Sequence, residues 1–134
     1  VAVNAGNGAR IWSVSEGVID RIVPVGGSLF LINDRNELLR LNALDGNRIW
    51  GVPLPNFIKN RPKKMASVFV NHGPILAGGR ILVASSDGVI RSYDPTSGTL
   101  LGLTDITGGA STNPVVAGQT LYIVSSSGEL VAFR

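Results

Sequence analysis

The chain has 134 residues, 44% of them hydrophobic and 16% charged, with a mean hydropathy of +0.26, a balance that excludes a disordered chain and suits one domain with a core. Cysteine is absent and His72 is the single histidine, which excludes disulfide staples, thiolate metal sites and cysteine nucleophiles and argues against a zinc hydrolase or a Ser-His-Asp triad. The formal charge of +3 is local, since Lys59, Arg61, Lys63 and Lys64 supply four of the twelve basic residues while eight basic residues face nine acidic ones elsewhere, so the chain lacks the broad basic face of a nucleic-acid domain.

Val1 opens without a methionine, a charged leader or a long apolar run, and nothing later approaches the roughly 20 apolar residues of a membrane-spanning helix. Taken with the repeats, this start reads as a piece of a longer protein. The first element is Asn4-Ala5-Gly6-Asn7-Gly8-Ala9-Arg10-Ile11-Trp12, a polar glycine turn leading into a strand over Arg10 to Val14. A short apolar run, Val23 to Val25, precedes a seventeen-residue window from Gly26 to Asn42, GGSLFLINDRNELLRLN. Two apolar runs around the turn Asn33-Asp34-Arg35-Asn36 make that window a β-hairpin. Asn42 to Trp50 then repeats the Asn4 to Trp12 element, with Gly46 where Gly8 stood.

A proline-punctuated stretch follows, Pro53 to His72, which holds the basic cluster Lys59, Arg61, Lys63 and Lys64 behind Phe57 and Ile58. Ile75 to Ala77 and the window Gly78 to Asp94, GGRILVASSDGVIRSYD, then restart the pattern. Asp94 to Gly102 is the third copy of the turn element, with Gly98 at the glycine position and Gly102 in place of the tryptophan. Val115 to Ala117 and the window Gly118 to Arg134, GQTLYIVSSSGELVAFR, complete the series.

Equivalent positions fall at Asn4, Asn42, Asp94 and Arg134, spaced by 38, 52 and 40 residues. Four short strands in about 40 residues are the signature of a propeller blade. Helical periodicity is missing, so the chain reads as all-β: a partial β-propeller of about three four-stranded antiparallel blades in a single domain. Residues 1–16 are expected to supply the outer strand of a preceding blade and 17–54 a whole blade. Residues 55–72 are the basic inter-blade insertion, 73–106 another blade, and 107–134 a last blade lacking its outer strand.

The unit Pro114-Val115-Val116-Ala117-Gly118 through Phe133, with the Asn42 to Trp50 segment behind it, resembles the quinoprotein-type (PQQ-like) propeller repeat. The resemblance covers the whole chain and implies an eight-bladed parent, in which the tryptophan docks between neighbouring blades. The strand order, the Asn33-Asp34-Arg35-Asn36 turn, the Pro53 to His72 insertion and the ending at Phe133-Arg134 resemble more closely the C-terminal blades of the lipoprotein scaffolds of the outer-membrane β-barrel assembly machinery. That likeness implies a bacterial, non-enzymatic protein-binding role on the periplasmic side of the outer membrane, lipid-anchored in the full-length protein. The implied partner is the set of periplasmic domains of the assembly barrel protein, with no nucleic acid and no membrane span. The alternative is a PQQ-like propeller of a quinoprotein dehydrogenase or of a receptor sensor domain.

Dehydrogenases of this repeat use adjacent cysteines, a calcium ion and a catalytic aspartate, and this chain has no cysteine. The expectation is therefore no cofactor, no metal and no catalytic residue. The carboxylates sit mostly in or beside turns, and spacing alone gathers none of them into a calcium cage of 6–8 oxygens. Gly6-Asn7-Gly8 and Gly78-Gly79 open strands, not the helix a phosphate-binding glycine loop requires. Ser125-Ser126-Ser127 occupies the turn held by Ser85-Ser86-Asp87 in the preceding copy, so turn duty accounts for it. The residues singled out are Trp12, Trp50, Gly8, Gly46 and Gly98 for blade docking, and Lys59, Arg61, Lys63 and Lys64 for partner binding. Open blade edges are expected to let this chain self-associate, Arg10 to Val14 of one copy lying beside Glu129 to Phe133 of another.

Overall fold

The computed structural model describes residues 1–55 and 70–133. Their regular structure is entirely β, in thirteen strands and four antiparallel sheets that run in chain order. The first sheet pairs β1 (Ala2–Val3) with β2 (Arg10–Trp12). The second has the order β3 (Val23–Val25), β4 (Ser28–Ile32), β5 (Glu37–Asn42), β6 (Arg48–Pro53). The third repeats it with β7 (Asn71–Ala77), β8 (Arg80–Ser85), β9 (Val89–Tyr93) and β10 (Leu100–Asp105). The fourth holds β11 (Val115–Ala117), β12 (Thr120–Val124) and β13 (Leu130–Phe133). Each is a meander of sequential hairpins, and together they are successive blades of a partial propeller.

Three boundaries differ from the sequence reading. Residues 1–16 hold two paired strands, because Ala2 and Val3 stand at the repeat positions of Arg40 and Leu41 and pair as they do. Strand β7 begins at Asn71, so Asn71 and His72 belong to a blade and not to the insertion. Strand β2 stops at Trp12, two residues short of Val14.

The middle strands carry apolar residues on both sides because each blade is covered on two faces. Along β4, Phe30, Leu31 and Ile32 are all buried. Phe30, Ile32 and Leu38 face Ile81, Val83 and Tyr93 of the next blade in one core. Leu31, Leu39 and Leu41 turn the other way, toward Val14 and Leu29. A second inter-blade core joins Ala84, Ile90 and Ile106 to Leu121 and Ile123. Burying such side chains contributes about 1.5–3 kcal/mol each, so blade stacking is the main source of stability.

The hairpin turns are held by a buried polar side chain at the same place in each copy. Asn33 Oδ1 accepts from the amides of Arg35 and Glu37, Ser85 Oγ from Asp87 and Ser125 Oγ from Glu129. The turn then needs a left-handed residue. Gly88 and Gly128 supply it at φ 95° and 87°, and Asn36 does so at 62°, a region asparagine tolerates better than most residues.

Candidate functional site

Two repeat-related contacts lock the blades at one end. The Trp12 indole N–H donates to Ala43 O at 2.9 Å, and the ring covers Gly46, where a β-carbon would stand 2.5 Å from Cε3. The Trp50 indole donates to Pro95 O at 3.0 Å and covers Gly98 in the same way, at 2.7 Å. Both glycines have φ +76°, so the turn needs glycine for its backbone as well as for the close approach. Arg40 adds to the second contact: its guanidinium lies 6.0 Å from the Phe30 ring centroid and donates to Pro95 O and Thr96 O at 3.2 Å. Gly8 makes its turn at φ +73°, and a β-carbon there meets nothing within 4 Å among the described residues.

At the opposite end, the segments joining one blade to the next are stapled by backbone bonds. Ala110 N donates to Ser85 O and Ser126 N to Gly109 O, which ties the turns of the third and fourth sheets together. Asp34 N donates to Gly17 O in the same manner. An ionic cluster surrounds that last staple. Glu16 pairs with Arg48 at 2.8 Å and Arg35 at 3.0 Å, while Glu37 pairs with Arg35 at 3.2 Å and Arg48 at 3.4 Å. Asn33 Nδ2 donates to both carboxylates. The Asn33 and Arg35 hydrogen bonds hold the Glu37 carboxyl down at about 2. The Arg48 hydrogen bond is the main cause of the lowering at Glu16 and Glu16 in turn raises Arg48. With every charge opposed, this cluster fixes the joining segment.

His72 stands near Asp20 and the Ala110 backbone, and burial lowers its pKa against the raising effect of both. Asn113 Nδ2 donates to Asp20 at 3.2 Å, joining the segments that lead into β3 and β11. Among the described residues no group of three His, Asp or Glu side chains converges as a metal site. Ser125 is buried, its hydroxyl bonded to Ser127 and to the Glu129 amide.

The interface between the third and fourth sheets is less filled than the one before it. Repeat positions held by Phe30, Ile32, Arg40 and Trp50 in the second sheet are Leu82, Ala84, Ser92 and Gly102 in the third. A cavity of about 470 Å³ opens there, lined by Ala77, Leu82, Val116, Leu121 and Phe133 among others. The outer strand of the same blade, β10, exposes Leu100, Leu101 and Leu103 at 48%, 46% and 62%.

Of the residues singled out in the sequence, Trp12 comes together with Gly46 and Trp50 with Gly98. Lys59, Arg61, Lys63 and Lys64 lie outside the described residues. Sequence reasoning missed the Glu16, Asn33, Arg35, Glu37 and Arg48 cluster and the exposed leucines of β10; the leucines had a signal, Leu100-Leu101-Gly102-Leu103 in an outer strand, that the missing tryptophan overshadowed.

The model of the family described as outer membrane protein assembly factor BamB matches residues 1–134. The chain is 25% identical over 129 residues to the outer membrane protein assembly factor BamB of Legionella pneumophila (strain Paris), covering 96% of this chain and 31% of that protein. It spans about a third of the length of the curated relatives it matches. In structure it is similar to BamB from Moraxella catarrhalis, with a TM-score of 0.71 at 19% identity, covering 98% of this chain and 38% of that one. A quinohemoprotein alcohol dehydrogenase from Pseudomonas putida HK5 shares the fold at a TM-score of 0.66 and 20% identity, over 84% of this chain and 18% of that one.

Proposed function

We propose that this chain, which belongs to the outer membrane protein assembly factor BamB family, is a non-enzymatic protein-binding part of the machinery that assembles outer-membrane β-barrel proteins. The observation that carries the reading is the family match, which runs along all of residues 1–134. The site chemistry agrees with it. The charges of Glu16, Arg35, Glu37 and Arg48 are paired with one another and hold the segment leading into β3 against the second sheet. The likeness to quinohemoprotein dehydrogenases is one of fold, and fold alone does not carry an activity.

In this reading the chain is the C-terminal set of blades of a longer propeller on the periplasmic side of the outer membrane, anchored there by lipid. Its partner is the set of periplasmic domains of the assembly barrel protein. Lys59, Arg61, Lys63 and Lys64 meet an acidic surface of that partner, since four like charges within six residues raise encounter rates with an opposite patch.

The test is binding of the purified periplasmic domains by biolayer interferometry at several salt concentrations. Binding that weakens with salt, and weakens further in Lys63→Glu/Lys64→Glu, supports the reading. Absence of binding, together with calcium- or quinone-dependent alcohol oxidation, overturns it in favour of the dehydrogenase.

A further inference from the structure

The outer strands of the blades are not equivalent. Strand β6 has Arg48 at one end, engaged with Glu16 and Glu37, and Pro53 at the other; a charge and a proline are the usual means of blunting a sheet edge. Strand β2 is three residues long and begins with Arg10. Strand β10 has six residues, Leu-Leu-Gly-Leu-Thr-Asp, with no proline and its one charge, Asp105, at the far end. It is the last strand of its sheet, paired on one side with β9 alone. One row of its backbone N–H and C=O groups therefore has no strand partner among the described residues.

The two faces of β10 differ. Leu100 and Leu103 pair across from Tyr93 and Arg91, on the side that looks toward the preceding blade, where Tyr93 is packed. Even with that blade in place, Leu100 stays 48% and Leu103 62% exposed. The opposite side carries Gly102 and Thr104, which pair with Ser92 and Ile90. A segment added to this edge continues both faces, because residues directly across a ladder share a side. The matching segment is extended and alternates apolar residues, beside Leu100 and Leu103, with small or polar ones, beside Gly102 and Thr104.

We infer that the β10 edge is a strand-pairing site for an unfolded segment of alternating apolar and polar residues, the pattern of a strand from an outer-membrane β-barrel. The inference rests on the assembly-factor reading for the identity of the occupant, an outer-membrane protein on its way to assembly. Six residues of β10 span about 20 Å, enough to align half or more of a membrane-spanning strand. Backbone bonds supply the attraction without regard to sequence, and the leucines select the alternation.

The test uses two fluorescent ten-residue peptides of identical composition, one alternating apolar and polar residues and one with its apolar residues clustered. Binding is followed by anisotropy, and hydrogen exchange locates it. The alternating peptide binds, slows exchange at Leu100 to Asp105, and loses roughly tenfold or more in affinity with Leu100→Lys/Leu103→Lys. The control Ile49→Lys on β6 binds as the parent does. Both variants alter exposed side chains, and an unchanged melting temperature verifies that they fold. Equal binding of the two peptides, equal binding by the double variant, protection at β13 or the neighbouring cavity in place of β10, or β10 protection by a second copy without peptide each overturns the proposal. Binding to the periplasmic domains of the assembly barrel protein is measured on the same variants. Its loss with peptide binding intact counts against the assembly reading and not against the edge.

Discussion

The six-membered ring of Trp50 covers Gly98 so closely that a β-carbon there would stand 2.7 Å from Cε3. The indole N–H meanwhile reaches Pro95 O, so a single side chain of the second sheet fixes both the position and the orientation of a turn in the third. The ring also lies 6.0 Å from Phe30 within the core that joins the two sheets. Trp50→Ala therefore removes packing, an aromatic contact and a hydrogen bond together. The expected cost is about 3 kcal/mol, seen as a melting temperature lower by about 10 °C. Trp50→Phe keeps most of the packing and loses the hydrogen bond, so it falls between, about 1 kcal/mol plus a small packing loss below the parent. A melt of Trp50→Ala equal to the parent would show the indole to be free of the inter-blade core.

Gly98→Ala and Gly8→Ala separate docking from backbone conformation. Both glycines turn at positive φ, +76° and +73°, so each alanine incurs a left-handed cost of about 1–2 kcal/mol. At Gly98 the new methyl also displaces the Trp50 ring, whereas at Gly8 it enters open space. The expected result is that Gly98→Ala destabilises more than Gly8→Ala by at least about 1 kcal/mol in urea denaturation. Equal costs would place the whole requirement in the backbone.

These contacts were legible because they recur. Asn-x-x-x-Gly-x-x-x-Trp appears twice at the repeat spacing, and a residue pair that returns with the repeat reports a contact the repeat needs. The hairpins were legible for the same reason, since a buried Asn33, Ser85 or Ser125 opens each polar turn. The ionic cluster was not, because Glu16 and Arg48 are 32 residues apart and Glu16 and Asn33 are 17 apart, and only one copy of the repeat carries them. Strand β1 escaped because two residues show no period. The exposed leucines of β10 look like core in a sequence, and only the placement of the strand at a sheet edge tells them apart.

Acid should weaken the fold through the Glu16 and Glu37 cluster. Both carboxyls sit below their ordinary value of 4.5 in the fold, Glu37 at about 2. A depressed carboxyl adds stability that is complete above the unfolded value and is lost as pH falls through the folded one. Stability measured by urea at a series of pH values should therefore decline between about 4.5 and 2. Asn33→Ala removes the largest cause of the lowering at Glu37, so its decline is smaller and ends at higher pH. A carboxyl titration of Glu37 with its midpoint at the ordinary value would contradict the cluster's geometry.

His72 works in the same direction from a different cause. Burial lowers its pKa below 6.5, against Asp20 and the Ala110 backbone, so the fold prefers the neutral ring. Its contribution is complete above 6.5 and is lost as pH falls below it, through the folded value. In His72→Asn the slope of stability with pH just below 6.5 should flatten, while the decline belonging to Glu37 remains. Imidazole resonances titrating above 6.5 would reverse the assignment.

Filling the interface between the third and fourth sheets should stabilise it. Leu82 occupies the repeat position of Phe30, which in the preceding blade pair lies against Trp50 and beneath Arg40. Gly102 and Ser92 replace those two partners here, and Leu82 lines a cavity of about 470 Å³. A phenyl ring in place of Leu82 has both room and a lining of Leu121 and Phe133 to meet. Leu82→Phe should therefore gain about 0.5–2 kcal/mol, the usual return of a cavity-filling change. The comparison is Val83→Phe, at a buried position that already packs into the filled core. Overpacking there costs about 1–3 kcal/mol. Opposite signs for two adjacent residues of one strand, read as melting temperatures, would locate the free volume on the face of β8 that looks toward the fourth sheet. A loss in both would mean that the space beside Leu82 is closed in solution.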